Sequence, residues 1–495
     1  MITDLKNLEK LYIDTYVDRL KPNEMEPQLE NLRKLKEYLF QLHLKLAKEV
    51  KTPSWTLDDL EVALKSFKNN KARDAHGHIY ELFKYGGNNL KLSILKLFNL
   101  VKRKQIYPDI LKPSNISSFY KSKGSKDDLN NDRGVFIVVK LRSLLDKLIY
   151  NEKYSIIDAN MDESNIGARR GRNIRDHLFV INAILNDARM SKEEIDIHIY
   201  DAYKCFDKLW YSETANDLFE VGVNDDYFVT IANSNKECNV AVKTPWGSVT
   251  ERKVLKEIEM QGTVLTSLKC SVQIGTLGKE CLNRGGNLFK YKECLPIPNL
   301  SFVDDILAIG KCGSDSIKLN AIIQSKMATK RLKMGLDKCF QMHVGSNASK
   351  LCPKLSVHGS EMKTASSEKY LGEIINCNAK IDENIQSRKN KGIGSVNNII
   401  SMIEEISFGE HTFEIALLFR SAMLINSMLC SSEVLYGITN AHIQTLEECD
   451  KYLFTRMFNV PITCSYEAYF LETGALPIKY ILTGRCLIYY WTLLN

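Results

Sequence analysis

Two adjacent aspartates, Asp304 and Asp305, interrupt an otherwise apolar segment, SFVDDILAIG, at 301–310. The short aliphatic and β-branched runs on either side are typical of strands, so the segment predicts a β-hairpin with the carboxylates at its turn. Carboxylates held side by side repel one another unless a cation lies between them, and Mg²⁺ with its preference for oxygen suits them best. The alternative is a solvent-exposed Asp-Asp turn that only closes a hairpin.

A third carboxylate lies far upstream, in EEIDIHIYDAYKCFDKLWYSE. Ile195, Ile197 and Ile199 alternate with other residues, which predicts a strand that ends at Asp201. In two-metal phosphoryl transfer, ions roughly 3.5–4 Å apart are bridged by carboxylates from different elements. A second strand ending in a carboxylate therefore favours the chemical interpretation of the aspartate pair.

Composition limits the class of protein. The 495 residues are too many for one ordinary domain, and 44% hydrophobic with 26% charged residues is typical of globular chains. No apolar run reaches the roughly 18 residues of a membrane span, and the start has no secretory signal, which indicates an intracellular protein. The thirteen cysteines form no C-x-x-C pair, so neither a disulfide framework nor a zinc module is indicated. A net charge of +7 permits a polyanionic partner without requiring one.

Hydrophobic periodicity predicts an α+β chain. Helical spacing covers most of residues 1–50, a new helix follows the N-cap Thr56, and another spans NNLKLSILKLFNLVKRK before Pro108. Short strand-like runs and longer helical runs then alternate, and from about Lys380 only helical periodicity is present.

The ordered set of segments resembles the polymerase portion of a reverse transcriptase of the non-LTR (LINE-type) retrotransposon family. YDAYKCFDKLW is similar to motif A, MQGTVLTSLKCSVQIG to motif B, FVDD to motif C, MGLDKCFQMHVG to motif D and EKYLGEII to the motif E primer grip. Upstream, NKARDAHGH, YKSKG, NDRGVFIVVKLRSLLDKLIY and NIGARRGRNIRDHL follow the order of the fingers elements. Each segment alone is a weak signal, and their order makes the resemblance specific.

The resemblance implies an α+β right-hand polymerase of fingers, palm and thumb, with an antiparallel palm sheet and an α-helical thumb. The implied divisions are a helical extension at 1–52, fingers at 53–192, palm at 193–385 and a thumb at 386–495 that is truncated at its C-terminal end.

It also implies the metal site. Asp201 and Asp304 would ligate two Mg²⁺ ions, with Mn²⁺ as an alternative, while Asp305 and the backbone carbonyl of Ala202 would support them. Phe206 would lie beneath the sugar and exclude a 2′-hydroxyl; the alternative is an ordinary core aromatic residue.

The remaining implied contacts fall into two groups. Those to the incoming nucleotide are Lys121, Lys123, Arg133, Gln261, Gly262 and Lys338, of which Lys338 could protonate the leaving pyrophosphate. Those to the template or primer are Arg169, Arg170, Arg172, Arg175, Tyr370, Leu371, Gly372, Arg388, Lys389 and Lys391. A solvated basic loop is the alternative for Lys121, Lys123 and Arg133.

Two segments depart from the family pattern. Motif B lacks both of its usual prolines, which predicts a looser turn after Gln261. The usual Tyr-Arg-Pro of the fingers is Asp132, Arg133 and Gly134, so that only the arginine is kept.

The expected function is RNA-directed DNA synthesis in retrotransposition. The expected partners are an RNA template, a DNA primer or target and dNTPs, with no membrane. The expected location is the nucleus and cytoplasm. The chain has no zinc-finger spacing before residue 56 and no nuclease motif at its end. A nuclease is therefore expected on a further C-terminal segment. The alternatives are a maturase-like or telomerase-like relative and a catalytically silent nucleic-acid-binding remnant.

Overall fold

The computed structural model describes residues 5–24, 26–285, 289–311, 313–345, 353–405, 411–461 and 463–494 of a mixed α/β chain. The chain forms two compact units, and the predicted division into fingers, palm and thumb stays a prediction. The first unit contains Met1–Arg172, His198–Cys339 and Pro353–Lys363; the second contains Asn173–Ile197, Phe340–Cys352 and Thr364–Asn495. Among the described helices, none is long and apolar enough to cross a membrane.

The first unit carries most of the helices and strands. Its helices are α1 (Leu5–Leu20), α2 (Glu30–Glu49), α3 (Leu57–Lys65), α4 (Tyr80–Tyr85), α5 (Gly87–Lys104), α6 (Lys140–Asn160), α8 (Cys205–Lys208), α9 (Tyr211–Glu220), α10 (Asp226–Lys236), α11 (Thr266–Ile274), α12 (Leu277–Arg284) and α13 (Ser314–Thr329). Its strands are β1 (Pro113–Tyr120), β2 (Asp132–Val138), β4 (Glu237–Lys243), β5 (Lys253–Lys256), β6 (Lys290–Tyr291), β7 (Leu295–Pro296), β8 (Asn299–Phe302), β9 (Asp305–Lys311), β11 (Ser356–Val357) and β12 (Ser360–Glu361). Two strands cross the division between the units, β3 (Ile195–Asp201) and β13 (Lys363–Thr364).

A four-stranded sheet of order β2-β1-β4-β5 supports the N-terminal helix. β1 is antiparallel to β2 and parallel to β4, so the sheet is mixed. Ile13, Tyr16 and Leu20 of α1 are buried in one apolar cluster with Ile116 and Phe136 of the sheet. Burial of such side chains contributes about 1.5–3 kcal/mol each and holds α1 against β1 and β2.

The structure confirms the predicted hairpin, and the aspartate pair lies on it. β8 and β9 are antiparallel, and Phe302 pairs with Asp305, so Val303 and Asp304 form a two-residue turn. Val303 has a φ of 58°, an uncommon backbone conformation for a β-branched residue. β9 lies beside β3 in its sheet, which brings the end of β3 toward the turn.

The predicted strand ending at Asp201 is also confirmed. Its alternation does not separate a buried face from an exposed one, because Asp196, His198 and Tyr200 are buried as fully as the isoleucines. Polar partners make this burial tolerable: the Tyr200 hydroxyl donates to Asn320 Oδ1 at 3.0 Å.

Helix α11 lies between two apolar cores of the first unit. Leu268 and Val272 belong to a core built largely from α2, α3, α5, α6, α9 and α10. Cys270 and Ile274 belong to the other, which includes β9, α8 and α13. The turn at 261–265 that precedes α11 is therefore anchored to both cores.

The second unit is mostly helical. Its elements are α7 (Ile174–Ser191), β10 (Phe340–Val344), β14 (Ser367–Tyr370), β15 (Glu373–Asn376), α14 (Asp382–Glu405), α15 (Thr412–Phe419), α16 (Asn426–Met428), α17 (Asn440–Phe458), α18 (Tyr466–Thr473) and α19 (Ile478–Leu494). The helical periodicity predicted from about Lys380 is confirmed for the described part of this segment. At its centre, Arg420 donates to both oxygens of the fully buried Asp450, at 2.6 and 2.5 Å.

Replacing Arg420 by Met should lower the stability of the second unit, because Asp450 is left buried without its cation. Breaking one partner of a buried ion pair costs about 3–5 kcal/mol. Hydrogen exchange of the α17 amides measures this as a lower free energy of opening. The matched control is Arg456→Met on α17, whose exposed pair with Glu404 spans 3.6 Å and should contribute no more than about 1 kcal/mol. Equal effects of the two substitutions would contradict the prediction.

Candidate active site

A cavity of about 710 Å³ in the first unit brings many of the predicted site residues together. The predicted residues that line it are Lys121, Lys123, Arg133, Asp201, Ala202, Phe206, Gln261, Asp304, Asp305 and Lys338. They come from segments far apart in sequence, so the fold creates this concentration of charge.

The three carboxylates lie close enough in the cavity to influence one another's charge. Asp304 lies in the hairpin turn, Asp305 begins β9, and Asp201 ends β3. Burial, followed by the charges of Asp305 and Asp201, raises the pKa of Asp304 to about 7. Burial and the charge of Asp201 raise the pKa of Asp305 to about 6. Ionising these carboxyl groups therefore costs free energy here, and a nearby cation would lower that cost.

Lys338 supplies positive charge beside these carboxylates. Its Nζ lies 2.9 Å from both carboxylate oxygens of Asp201. Burial works against its charged form, but the hydrogen bond and charge of Asp201 prevail and raise the pKa of Lys338. A backbone bond from Gly335 N–H to the Asp201 carbonyl, 2.9 Å, fixes the turn that carries Lys338.

The backbone of Ala202 is fixed by the same turn. Ala202 pairs with Met334 in an isolated antiparallel bridge, and Tyr203 N–H donates to the Lys333 carbonyl at 2.8 Å. Because the bridge's hydrogen bonds involve the neighbours of Ala202, its own carbonyl points away from Met334. The position fits the oxygen ligand that the family resemblance implies.

Cationic side chains line another part of the cavity. Arg19 and Lys204 join the predicted Lys121, Lys123 and Arg133 there. Desolvation and the charge of Arg19 lower the pKa of Lys121, with Lys204 and Arg133 adding to the effect and Asp207 opposing it. Clustered cations of this kind favour a bound polyanion such as a triphosphate. Sequence reasoning missed Arg19, Lys204 and Asp207; the last two lie within the motif A segment, whereas no local signal marks Arg19.

Phe206 is both a cavity residue and a packing residue. Its half-buried ring lines the cavity and packs against the apolar core of α8, α11 and α13. Next to it, Cys205 Sγ lies 3.3 Å from Cys270 Sγ of α11, so α8 is packed closely on α11. Both interpretations of Phe206 are therefore compatible with its position.

The turn at 261–265 is constrained although it lacks the prolines that are usual in motif B. Gly262 has a φ of 99°, and the Gln261 carbonyl accepts a hydrogen bond of 2.8 Å from Phe136 N–H. Lys269 of α11 reaches back to both oxygens of Glu259 at 3.0 Å, and both side chains are buried. This ion pair and the bond to β2 restrict the turn in place of proline rings.

The predicted template arginines of the first unit lie in a loop after α6, and none lines the cavity. Arg169 is 8% exposed and donates to Asp158 and to the carbonyls of Asp162 and Asn165. Arg170 lies over the Tyr154 ring at 4.3 Å, and Arg172 pairs with the exposed Glu163. Arg169 thus stabilises its own loop.

That loop also braces the β8–β9 hairpin. Ile166 N–H donates to the Ser301 carbonyl at 3.1 Å, and Ser301 N–H donates to the Ser164 carbonyl at 2.8 Å. A Cβ on Gly167 would collide with the backbone nitrogen of Val303, so glycine permits this close approach. The arginine-rich segment therefore supports the turn that carries Asp304.

The remaining predicted contacts lie in the second unit. Arg175 pairs with Glu433 at 2.8 Å, Lys389 pairs with Glu448 at 2.5 Å, and Lys391 is exposed. Arg388 is buried and donates to Glu373 and to the carbonyls of Met428 and Cys430. Tyr370 is buried, and Leu371 and Gly372 form the β14–β15 turn with φ values of 47° and 90°.

No protein-family model and no curated protein sequence matches the chain. In the part of the chain that the structure describes, no three His, Cys, Asp or Glu side chains already surround one metal position. Asp201 is paired with Lys338, whose ammonium balances part of the carboxylate charge.

The pKa shift of Asp304 predicts how stability depends on pH. Because the carboxyl is harder to ionise in the folded chain, its contribution to stability falls as pH rises from about 4 to about 7. Asp304→Asn should therefore stabilise the chain at pH 8, by up to ~4 kcal/mol, and much less at pH 5. Melting temperatures of the wild type and the variant at the two pH values measure the effect. Asp127→Asn removes a charge from an exposed loop residue and is the control; an equal gain at both pH values would contradict the assignment.

Proposed function

We propose that the chain is an RNA-directed DNA polymerase of the non-LTR retrotransposon type, which adds dNTPs to a primer 3′-hydroxyl on an RNA template. The observation that carries this proposal is the charge distribution of one cavity. Three carboxylates from two elements line it close to one another, and a cluster of lysines and arginines lines it as well. A nucleoside triphosphate and its divalent ions complement both.

The three carboxylates and the Ala202 carbonyl fit divalent cations. The donor set consists of carboxylate oxygens and the Ala202 carbonyl, and hard oxygen ligands suit Mg²⁺. Burial, followed by the charges of neighbouring carboxylates, raises the pKa values of Asp304 and Asp305, so a bound cation would favour their ionised forms. When bound, Mg²⁺ would polarise the α-phosphate and lower the pKa of the primer hydroxyl.

Lys338 has two roles in the proposed reaction. Before metal binding its ammonium neutralises Asp201, which keeps the carboxylates together in the cavity. Once released from Asp201, Lys338 Nζ could donate its proton to the leaving pyrophosphate oxygen as a general acid.

Other residues orient the nucleotide. Lys121, Lys123 and Arg133 line the cavity where they can hold the phosphates, and the arginine can do so bidentately. Phe206 would lie against the sugar, and Gln261 begins the turn on the cavity wall. The order of the motif-like segments supports an RNA template over other nucleotidyl-transfer reactions.

Asp201→Asn and Asp304→Asn should each abolish nucleotide incorporation, because either change removes a charged oxygen donor for the metal ions. Template-primer affinity should change little, since lysines and arginines supply phosphate contacts. Primer extension on a homopolymer RNA template and a binding titration measure the two effects. Asp127→Asn serves as the control. Extension near the wild-type rate in either variant would remove the two-metal assignment.

Phe206→Val should relax sugar discrimination, because the smaller side chain leaves room for a 2′-hydroxyl. The ratio of rNTP to dNTP incorporation should rise about tenfold or more, since relief of ~1.4 kcal/mol of steric repulsion changes a rate tenfold. Phe219→Val, a substitution of a core-packed ring that does not line the cavity, is the matched control. An unchanged ratio in Phe206→Val would leave this ring as a core residue only.

A further inference from the structure

The residues that flank Arg133 contact the N-terminal helix. In β2, Arg133 is exposed, whereas Asp132 and Gly134 are buried, as the alternation of a strand requires. A Cβ at Gly134 would lie 2.5 Å from Cε1 of Tyr16, so the Tyr16 ring occupies the space next to this glycine. The two departures from the family's Tyr-Arg-Pro are thus residues that accommodate α1.

Two consecutive hydrogen bonds join α1 to strands β1 and β2. The Tyr16 hydroxyl and Ser118 Oγ are 2.7 Å apart, and Ser118 donates to the carboxylate of Asp132. Tyr16 is 2% exposed and belongs to the apolar cluster of α1 and the sheet. The strand that carries Arg133 is therefore held by α1 on the face opposite the arginine.

Arg19 extends this contact to the metal-site side of the cavity. Its Nη2 donates to Asp207 of α8 at 2.8 Å, and its Nη1 donates to the Asp132 carbonyl at 3.1 Å. The side chains of Arg19 and Asp207 are 5% and 9% exposed. Asp207 directly follows Phe206, so one planar guanidinium links α1, the strand of Arg133 and the short helix of Phe206.

We infer that Arg19 is a positioning residue for the nucleotide site. By bonding to Asp207 and to the Asp132 backbone at once, it fixes the triphosphate-binding strand relative to the sugar-binding helix. This role rests on the proposed function. Small displacements of aligned groups cost large factors in rate or affinity, and removal of one partner leaves the other buried charge unpaired.

A direct contact between Arg19 and the triphosphate is the competing role, because Arg19 also lines the cavity. The two roles predict opposite signs for Asp207→Asn. If Arg19 positions the site through Asp207, this substitution weakens dNTP binding. If Arg19 binds phosphate itself, loss of the competing carboxylate leaves dNTP binding unchanged or strengthens it.

The test is steady-state primer extension with the full chain on a homopolymer RNA template. Arg19→Ala and Asp207→Asn should each raise KM for dNTP about tenfold, with template-primer affinity unchanged, and the double variant should be little worse than either single variant. Arg19→Lys should not restore KM, because an ammonium lacks the planar fork. Lys10→Ala, which removes an exposed charge from the same helix, is the control. An unchanged or lower KM in Asp207→Asn would overturn the inference.

Gly134→Ala tests the same contact without changing charge. Its Cβ would displace the Tyr16 ring and should raise KM for dNTP in the same direction. A KM unchanged by this substitution would contradict the role of α1 in holding the strand of Arg133.

Hydrogen exchange separates failure of this inference from failure of the proposed function. If the wild-type chain extends no primer, the proposed function fails. Independently of activity, Arg19→Ala should speed amide exchange in both 129–138 and 205–208 at least about tenfold, and Lys10→Ala should not. Unchanged exchange in these segments would overturn the positioning role whether or not the chain is a polymerase.

Discussion

Repulsion among three carboxylates is the interaction on which the candidate site depends. Asp201, Asp304 and Asp305 are brought together by strand ends, and their negative charges oppose one another in a partly desolvated cavity. Lys338 balances part of this charge by binding both oxygens of Asp201. A fold that accepts such a cost needs rigid support around the carboxylates.

That support comes from contacts on several sides of the turn. Val303 adopts a left-handed conformation, and the loop containing Gly167 packs against its backbone. Arg169 holds this loop by donating to carbonyls within it. The Gly335 bond fixes the end of β3. Asp304 can therefore be held near other carboxylates because its backbone is restrained independently of its charge.

Local sequence pattern predicted two parts of the site, whereas the other predicted cavity residues came from the family resemblance. Alternation identified the strand ending at Asp201, and two apolar runs around a polar pair identified the hairpin. Arg19 could not be found this way, because its partner Asp207 is 188 positions away and nothing in α1 indicates that contact. Likewise, the number of arginines near residue 170 does not reveal that Arg169 is buried and satisfied by backbone carbonyls. Charge content is visible in a sequence, whereas the partner of each charge is set by tertiary structure.

The electrostatics of the whole cavity favour one kind of ligand over simpler ones. Asp304 and Asp305 resist ionisation because they are buried and because neighbouring carboxylates repel their charges. The pKa of Lys121 is lowered by desolvation and then by its cationic neighbours, so positive charges near it repel one another. A divalent cation alone relieves only the first repulsion, and a simple anion relieves only the second. A metal-bound triphosphate carries both charges in one molecule, so the proposed ligand would complement both groups of side chains. The proposed nucleotide with its metal ions would therefore relieve both repulsions at once, which neither component does when bound separately.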